Sequence, residues 1–155
     1  MQKVKIRRAE LRDVAVLIRH RRMMWHELGR RDEAALDLME KAASEYFETA
    51  VADGSYLGFL AEDGSGVVTG GGGIVVSPWP GILGQKQPRR AMILNLYVER
   101  PHRRKGVARA LMETMIAWSR ENEFAYVSLH ASEQGRGLYE KLGFRPTDEM
   151  RLDLK

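Results

Sequence analysis

The chain has 155 residues, of which 44% are hydrophobic and 30% charged, with a net charge of +4 and no cysteine. That size and balance describe one ordinary folded domain, 1–155, able to bury its own core. They exclude a bilayer-crossing segment, disulfides, thiolate metal sites and a cysteine nucleophile.

The stretch Met1 to Glu10 carries basic residues with no apolar run behind them, which argues against a secretory signal and leaves the cytoplasm as the simplest location. Within it, Val4 and Ile6 alternate with charged residues and predict a short edge strand. Leu11, Val14, Leu17, Ile18, Met24, Trp25 and Leu28 recur at helical spacing, and Gly29 can end that helix. His20 and His26 read as surface groups on it. A second helix presents Leu36, Met39, Ala43, Tyr46, Phe47 and Ala50 on one face and closes at Asp53-Gly54.

A strand around Tyr56 to Ala61, a turn at Glu62-Asp63-Gly64 and a strand from Val67 to Val76 predict a hairpin. The run Gly70 to Gly73 inside the second strand marks a bulge, a close approach of another group or a poorly packed edge. Ser77 to Gln87 is a Pro/Gly loop carrying Trp79, and AMILNLYV, Ala91 to Val98, is a strong strand stopped by Pro101. A helix from about Arg104 to Arg120 carries Val107, Leu111, Met115 and Trp118 on its apolar face. Then come a strand, Phe124 to His130, and a short helix, Glu133 to Leu142, ended by Gly143. The tail, Phe144 to Leu154, predicts one more strand or a small hairpin. The strands on either side of a helix should be parallel, so the expected fold class is α/β (α+β): a single mixed, mostly antiparallel sheet with helices on both faces.

Chemistry concentrates in LNLYVERPHRRKGVARAL, a strand, a basic turn and a helix. The first turn of a helix has unpaired N–H groups and a dipole that favours an anion. Gly106 and Ala108 keep that surface low, while Arg103, Arg104 and Lys105 are unfavourable there without an anion nearby. Basic residues fraying into solvent remain the alternative, and a solvated basic surface accounts for most of the other clusters. Neither a triphosphate-binding loop nor a Gly-x-Gly-x-x-Gly turn is present, and His26-Glu27 lacks the second histidine of a zinc motif, so no metal is expected.

Arg103-x-x-Gly106-x-Ala108 resembles the Arg/Gln-x-x-Gly-x-Gly/Ala signature of the GNAT acetyltransferase superfamily, and Leu138-Tyr139-Glu140-Lys141-Leu142-Gly143-Phe144 resembles the ending of many members. The resemblance covers the element order of the whole chain and is sharpest from Leu94 to Phe144. It implies the acyl-CoA N-acyltransferase fold, acetyl-CoA as cosubstrate, and transfer of acetyl directly to a primary amine on a small-molecule or peptide acceptor. Leu96, Tyr97 and Val98 would pair with the pantetheine arm, the Val98 N–H donating to the thioester oxygen. Arg103, Arg104, Lys105, Gly106, Val107 and Ala108 would hold the pyrophosphate, and Tyr139 would protonate the departing thiolate.

Two departures stand out. Where many members carry a cofactor-contacting Asn, this chain has Ser132. Where some carry a basic Glu on the strand, it has Asn95, which could order a water; Glu99 and His130 are the other candidates for a base. Trp25, Trp79 and His130 are candidates for the acceptor side, with a core role the alternative for Trp25. A non-catalytic acetyl-CoA sensor is the competing reading. Nucleic-acid binding lacks a recognition motif; no membrane partner is expected, and a homodimer is a family-level expectation only.

Overall fold

The structure is a computed structural model and describes residues 4–155. Residues 1–3, part of the stretch read for a signal, lie outside the described residues. The elements are β1 (Lys5–Arg8), α1 (Val14–Glu27), α2 (Glu33–Asp53), β2 (Tyr56–Glu62), β3 (Val68–Pro78), β4 (Arg89–Val98), α3 (Val107–Glu121), β5 (Val127–Leu129) and α4 (Glu133–Lys141). Strands run in the order β1-β2-β3-β4-β5; the first four are antiparallel, and β5 lies parallel to β4. The mixed sheet with helices on both faces is as the sequence predicts.

Local chemistry fixes the ends of these elements. Asp32 caps α2 by accepting from the Ala35 N–H, and Gly54 closes it in a left-handed conformation. Asp63 shapes the β2–β3 hairpin: its Oδ1 accepts from the Ser65 N–H and hydroxyl and from the Val67 N–H. Two apolar layers result. Leu17, Phe47, Tyr56 and Leu60 pack under α1 and α2, while Ile74, Ile93, Leu111, Met112 and Met115 pack under α3.

The glycine run is no poorly packed edge. It lies in β3, between two strands, and is buried. The Tyr56 ring occupies the space a side chain at position 73 would need: a Cβ there would stand 2.1 Å from the Tyr56 hydroxyl. Tyr56 is 1% exposed and stacks edge-on against Phe47 at 4.8 Å. Glycine in a central strand therefore admits a large ring to the core rather than weakening an edge.

One irregularity decides the rest. Gly71 pairs with Tyr97 but Gly73 pairs with Leu94, so a single β3 residue faces two of β4, Asn95 and Leu96. Asn95 takes a positive φ of 64°, making this a bulge in β4. Leu94 and Asn95 face α1, whereas Ile93 and Leu96 face α3. On the other side, β5 pairs with β4 only from Ala91 to Ile93. Beyond Ile93 the two strands separate.

The predicted strand or hairpin in the tail is not formed: after α4 the chain has no regular structure through Lys155. The helix expected from Arg104 starts at Val107, because Arg104 (φ 62°) and Gly106 (φ 82°) both turn the chain left-handed.

Candidate active site

The separation of β4 from β5 exposes one strand edge, and the register identifies its amides. The Glu99 N–H donates to the Thr69 carbonyl of β3 at 2.9 Å. Successive residues of an antiparallel strand point their backbone groups to opposite edges. Val98, opposite Gly70, therefore turns both its N–H and its carbonyl away from β3, into the gap. The Arg103 Nε donates to that carbonyl at 2.9 Å, which confirms its direction. By the same alternation Leu96 faces the gap and Tyr97 faces β3. Leu96 and Val98 thus offer backbone partners to an extended ligand, as a further strand would.

At the end of β4 stands the basic turn. α3 has no side-chain cap and no acidic residue in its first turn. Arg104, Lys105 and Gly106 are exposed and Ala108 is half-buried, leaving the helix N-terminus accessible to an anion. Val107 is the exception among the predicted contacts: its side chain is 5% exposed and belongs to the α3 core, so only its backbone can serve a ligand.

Arg103 is not aimed at the helix end. Its Nη2 donates to Glu27, at the end of α1, at 2.7 Å, and its guanidinium lies 5.4 Å from the Tyr97 ring centre. The Glu27 carboxylate also accepts from the Tyr97 hydroxyl and from Arg100 Nε, each at 3.1 Å. Burial pushes the Glu27 carboxyl up, but these donors outweigh it and hold it below the ordinary carboxylate range. Glu27 therefore ties α1 to the turn. The sequence reading missed it; the signal was Leu17, His20, Met24 and Glu27 recurring on one helical face.

His20 is a correction. Far from a surface group, it is 1% exposed, with its ring 5.1 Å from that of Tyr97. Its Nε2 lies 3.1 Å from Glu99 Oε1, and Arg19 Nη1 lies 2.8 Å from the same oxygen. Burial lowers the His20 pKa against the opposing pull of Glu99, so the folded protein holds it neutral. The unfolded chain then binds more protons below pH about 6.5, and stability should fall as pH drops through that value. Melting temperatures measured from pH 7.5 to 5.5 should decline more steeply for the wild type than for His20→Gln. Equal slopes would show that His20 charges freely in the folded state.

The remaining predicted residues separate clearly. Asn95 is buried, and its Nδ2 donates to the Leu17 carbonyl of α1 at 3.1 Å; it fastens the bulge to the helix instead of facing the gap. Glu99 is held by Arg19 and His20 with 18% of its side chain exposed, and of the proposed bases it alone combines a carboxylate with a position at the end of β4. Ser132 caps α4, its hydroxyl accepting from the Gly135 N–H at 3.1 Å, so that oxygen is already engaged. Tyr139 is half-buried beside Phe144, and burial raises its pKa, keeping the hydroxyl protonated at neutral pH.

Trp25 is half-buried on α1, and its Nε1 is buried without a partner. His130 stands just past the end of β5 and is paired with Glu149 while largely exposed. Trp79 is not with them. It follows Pro78, which pairs with Arg89 at the far end of β4, and Arg90 covers its ring at 4.3 Å. The whole of β4, 10 residues from Arg89 to Val98, separates that end from the gap, roughly 30 Å at about 3.3 Å per residue. Trp79 is thereby remote from the gap. Among the described residues no cluster of His, Asp or Glu has metal-binding geometry, and no helix is long and apolar enough to cross a membrane.

A sheet split beyond a bulge, beside a basic helix N-terminus, defines the class: the acyl-CoA N-acyltransferase fold. The chain belongs to the GNAT acetyltransferase family, whose model matches residues 21–144. It is similar to a GCN5-related N-acetyltransferase from Ralstonia eutropha JMP134, with 35% identity, a TM-score of 0.89 and coverage of 98% of this chain and 99% of that one. A predicted acetyltransferase from Clostridium acetobutylicum, solved with acetyl-CoA, is 25% identical with a TM-score of 0.84 over 98% of this chain and 97% of that one. The mouse probable N-acetyltransferase family 8 member 5 is 35% identical over 99 residues, 62% of this chain and 40% of that protein. Human N-acetyltransferase 8B is 33% identical over 64 residues, 39% of this chain and 28% of that protein. The chain thus spans less than half the length of these curated relatives.

Proposed function

We propose that the protein transfers an acetyl group from acetyl-CoA directly to a primary amine. The observation that carries this reading is the outward Val98 amide in the gap between β4 and β5, with the basic turn at the end of the same strand. Pantetheine would lie along Leu96 and Val98, and the diphosphate would meet the N-terminus of α3 through Arg104, Lys105 and the amides of Gly106 to Ala108. The amine nitrogen forms a bond to the thioester carbon, and negative charge on the oxygen is met by the Val98 N–H. The C–S bond then breaks. Tyr139 supplies a proton to the leaving thiolate, and the proton lost by the nitrogen passes through solvent to Glu99 or to the bulk. Trp25 and His130 flank the acceptor side in this arrangement.

Turnover of an amine panel, read by release of free thiol, tests the reading. Tyr139→Phe should lower kcat by roughly 100-fold, the ordinary scale of a general acid, with little change in acetyl-CoA binding. Full turnover by Tyr139→Phe at every pH would remove the acid role. The engagement of Asn95 and Ser132 in structural bonds favours a second reading, an acetyl-CoA sensor. Calorimetric binding of acetyl-CoA with no thiol release across the panel would support it.

A further inference from the structure

His20 is fully buried beside the candidate site, yet the proposed transfer makes no use of it. Its ring lies between the Tyr97 ring, 5.1 Å away, and the backbone of β3. Gly71 makes that fit possible: a Cβ there would stand 3.3 Å from His20 Nδ1. Nδ1 is buried without a hydrogen-bond partner, whereas Nε2 lies 3.1 Å from Glu99 Oε1. Two bare acceptors face to face would repel. The ring, neutral in the folded protein, therefore carries its proton on Nε2 and donates it to Glu99. An orphaned nitrogen in the interior costs stability that an apolar side chain in the same space would not. The one polar contact this ring makes is the one to Glu99.

Glu99 shows what that contact does. Its Oε1 receives His20 Nε2 at 3.1 Å and Arg19 Nη1 at 2.8 Å, and its Oε2 has no partner among the described residues. The two donors are unlike. The Arg19 side chain is 50% exposed, on a long flexible stem, whereas that of His20 is 1% exposed and held on both sides. His20 is thus the fixed point of the pair. One carboxylate oxygen is anchored and the other is left open, at the end of the strand whose Leu96 and Val98 face the gap. A carboxylate held by one oxygen has a set direction in which to accept a proton, which is what a general base needs.

We propose that His20 is a positioning residue, holding Glu99 by Oε1 so that Oε2 takes the proton of the attacking amine. The proposal rests on the acetyl-transfer reading and narrows it: the proton goes to Glu99 and not to the bulk. As the nitrogen–carbon bond forms, an N–H bond of the amine breaks and its electrons stay on nitrogen. The proton passes through a water to Oε2, while the His20 Nε2–H keeps Oε1 in place. His20 itself neither gains nor loses a proton. Gly71 and Tyr97 act through the ring, by fixing its tilt.

His20→Leu occupies the same space without an N–H. With the most active amine of the panel it should lower kcat at least about tenfold, since a misplacement of about 1 Å can cost roughly 100-fold. The KM for acetyl-CoA should stay within about twofold, because the cofactor contacts are untouched. His20→Met is the second variant, a flexible side chain that adapts to the cavity should leucine pack badly. His20→Gln brings an N–H to the same point and should recover most of the loss. Glu99→Gln should lower kcat by roughly 100-fold. Adding His20→Leu to Glu99→Gln should cost nothing further, because the two residues act as one unit. Wild-type kcat in both His20→Leu and His20→Met overturns the proposal. So do losses that multiply in the double variant, or a His20→Gln no more active than His20→Leu. A wild-type protein that releases no thiol with any amine overturns the acetyl-transfer reading itself, and this proposal with it.

Discussion

Arg104→Glu is expected to weaken acetyl-CoA binding by roughly thirtyfold, about 2 kcal/mol at 1.4 kcal/mol per tenfold. Arg104 is exposed, and no hydrogen bond or ion pair is formed by its side chain among the described residues. It stands two residues before the α3 N-cap, where the helix dipole and free amides already favour an anion. The substitution places negative charge where the diphosphate would sit. Because the side chain is exposed and makes no polar contact among the described residues, the melting temperature should hardly move, consistent with the ~0.5 kcal/mol range of ordinary surface changes. Calorimetry at two salt concentrations adds a second reading. Wild-type affinity should fall as ionic strength rises, and the variant should show less of that fall. Gly106→Trp should act in the same direction for a different reason: a φ of 82° strains any side chain, and the indole would stand over the amides. Unchanged affinity in both variants would place the anion site elsewhere.

Gly73→Ala is expected to be the most damaging small substitution in the sheet. The new Cβ would lie 2.1 Å from the Tyr56 hydroxyl and 2.2 Å from its ring carbon Cζ. Neither side can yield easily, since Tyr56 is wedged against Phe47 at 4.8 Å and Tyr46 at 6.2 Å. Overpacking of this kind costs about 1–3 kcal/mol. For a chain of this size that corresponds to a drop in Tm of roughly 3–10 °C. Tyr56→Leu in the same background should recover part of the loss, because the two changes share one volume. Gly137→Ala is the control: it lies in α4 with nothing within 4 Å of the added Cβ, and it should stabilise by up to about 1 kcal/mol. Equal melting of Gly73→Ala and wild type would show that Tyr56 has somewhere else to go.

The parts of the fold legible in the sequence were those governed by neighbours in the chain. Ala91–Val98, the basic turn and the amphipathic face of α3 announce themselves within about one element each, and so does the Asp53-Gly54 close of α2. The parts that escaped depend on contacts far apart in sequence. His20 meets Glu99 across 79 residues, and Glu27 meets Arg103 across 76. A single histidine on a helix carries no local sign of a carboxylate supplied by a distant strand. Gly73 reads as a weakness until Tyr56 is known to fill its space. Ser132 was legible as a hydroxyl at a cofactor position, but the same hydroxyl also satisfies a helix cap, and the cap is what forms. The tail, for all its alternation, pairs with no strand and has no regular structure. For the candidate site, the backbone elements were foreseen, whereas the side chains that lock α1 against the turn were not.

The bulge at Asn95 acts as a phase inverter. A strand has a period of two, so one surplus residue exchanges the faces of everything downstream. Up to Ile93 the strand keeps the rhythm of the core, with Ala91 and Ile93 directed to the α3 layer. Past the surplus residue the rhythm is reversed, and Tyr97 and Glu99 come round to α1, where Glu27 and His20 await them. Were the same residues to run as a regular strand, without the bulge, both would be carried to the opposite layer, and the two bridges to α1 would vanish together. β4 is therefore two strands of opposite phase spliced in line, the first keyed to folding and the second to the gap.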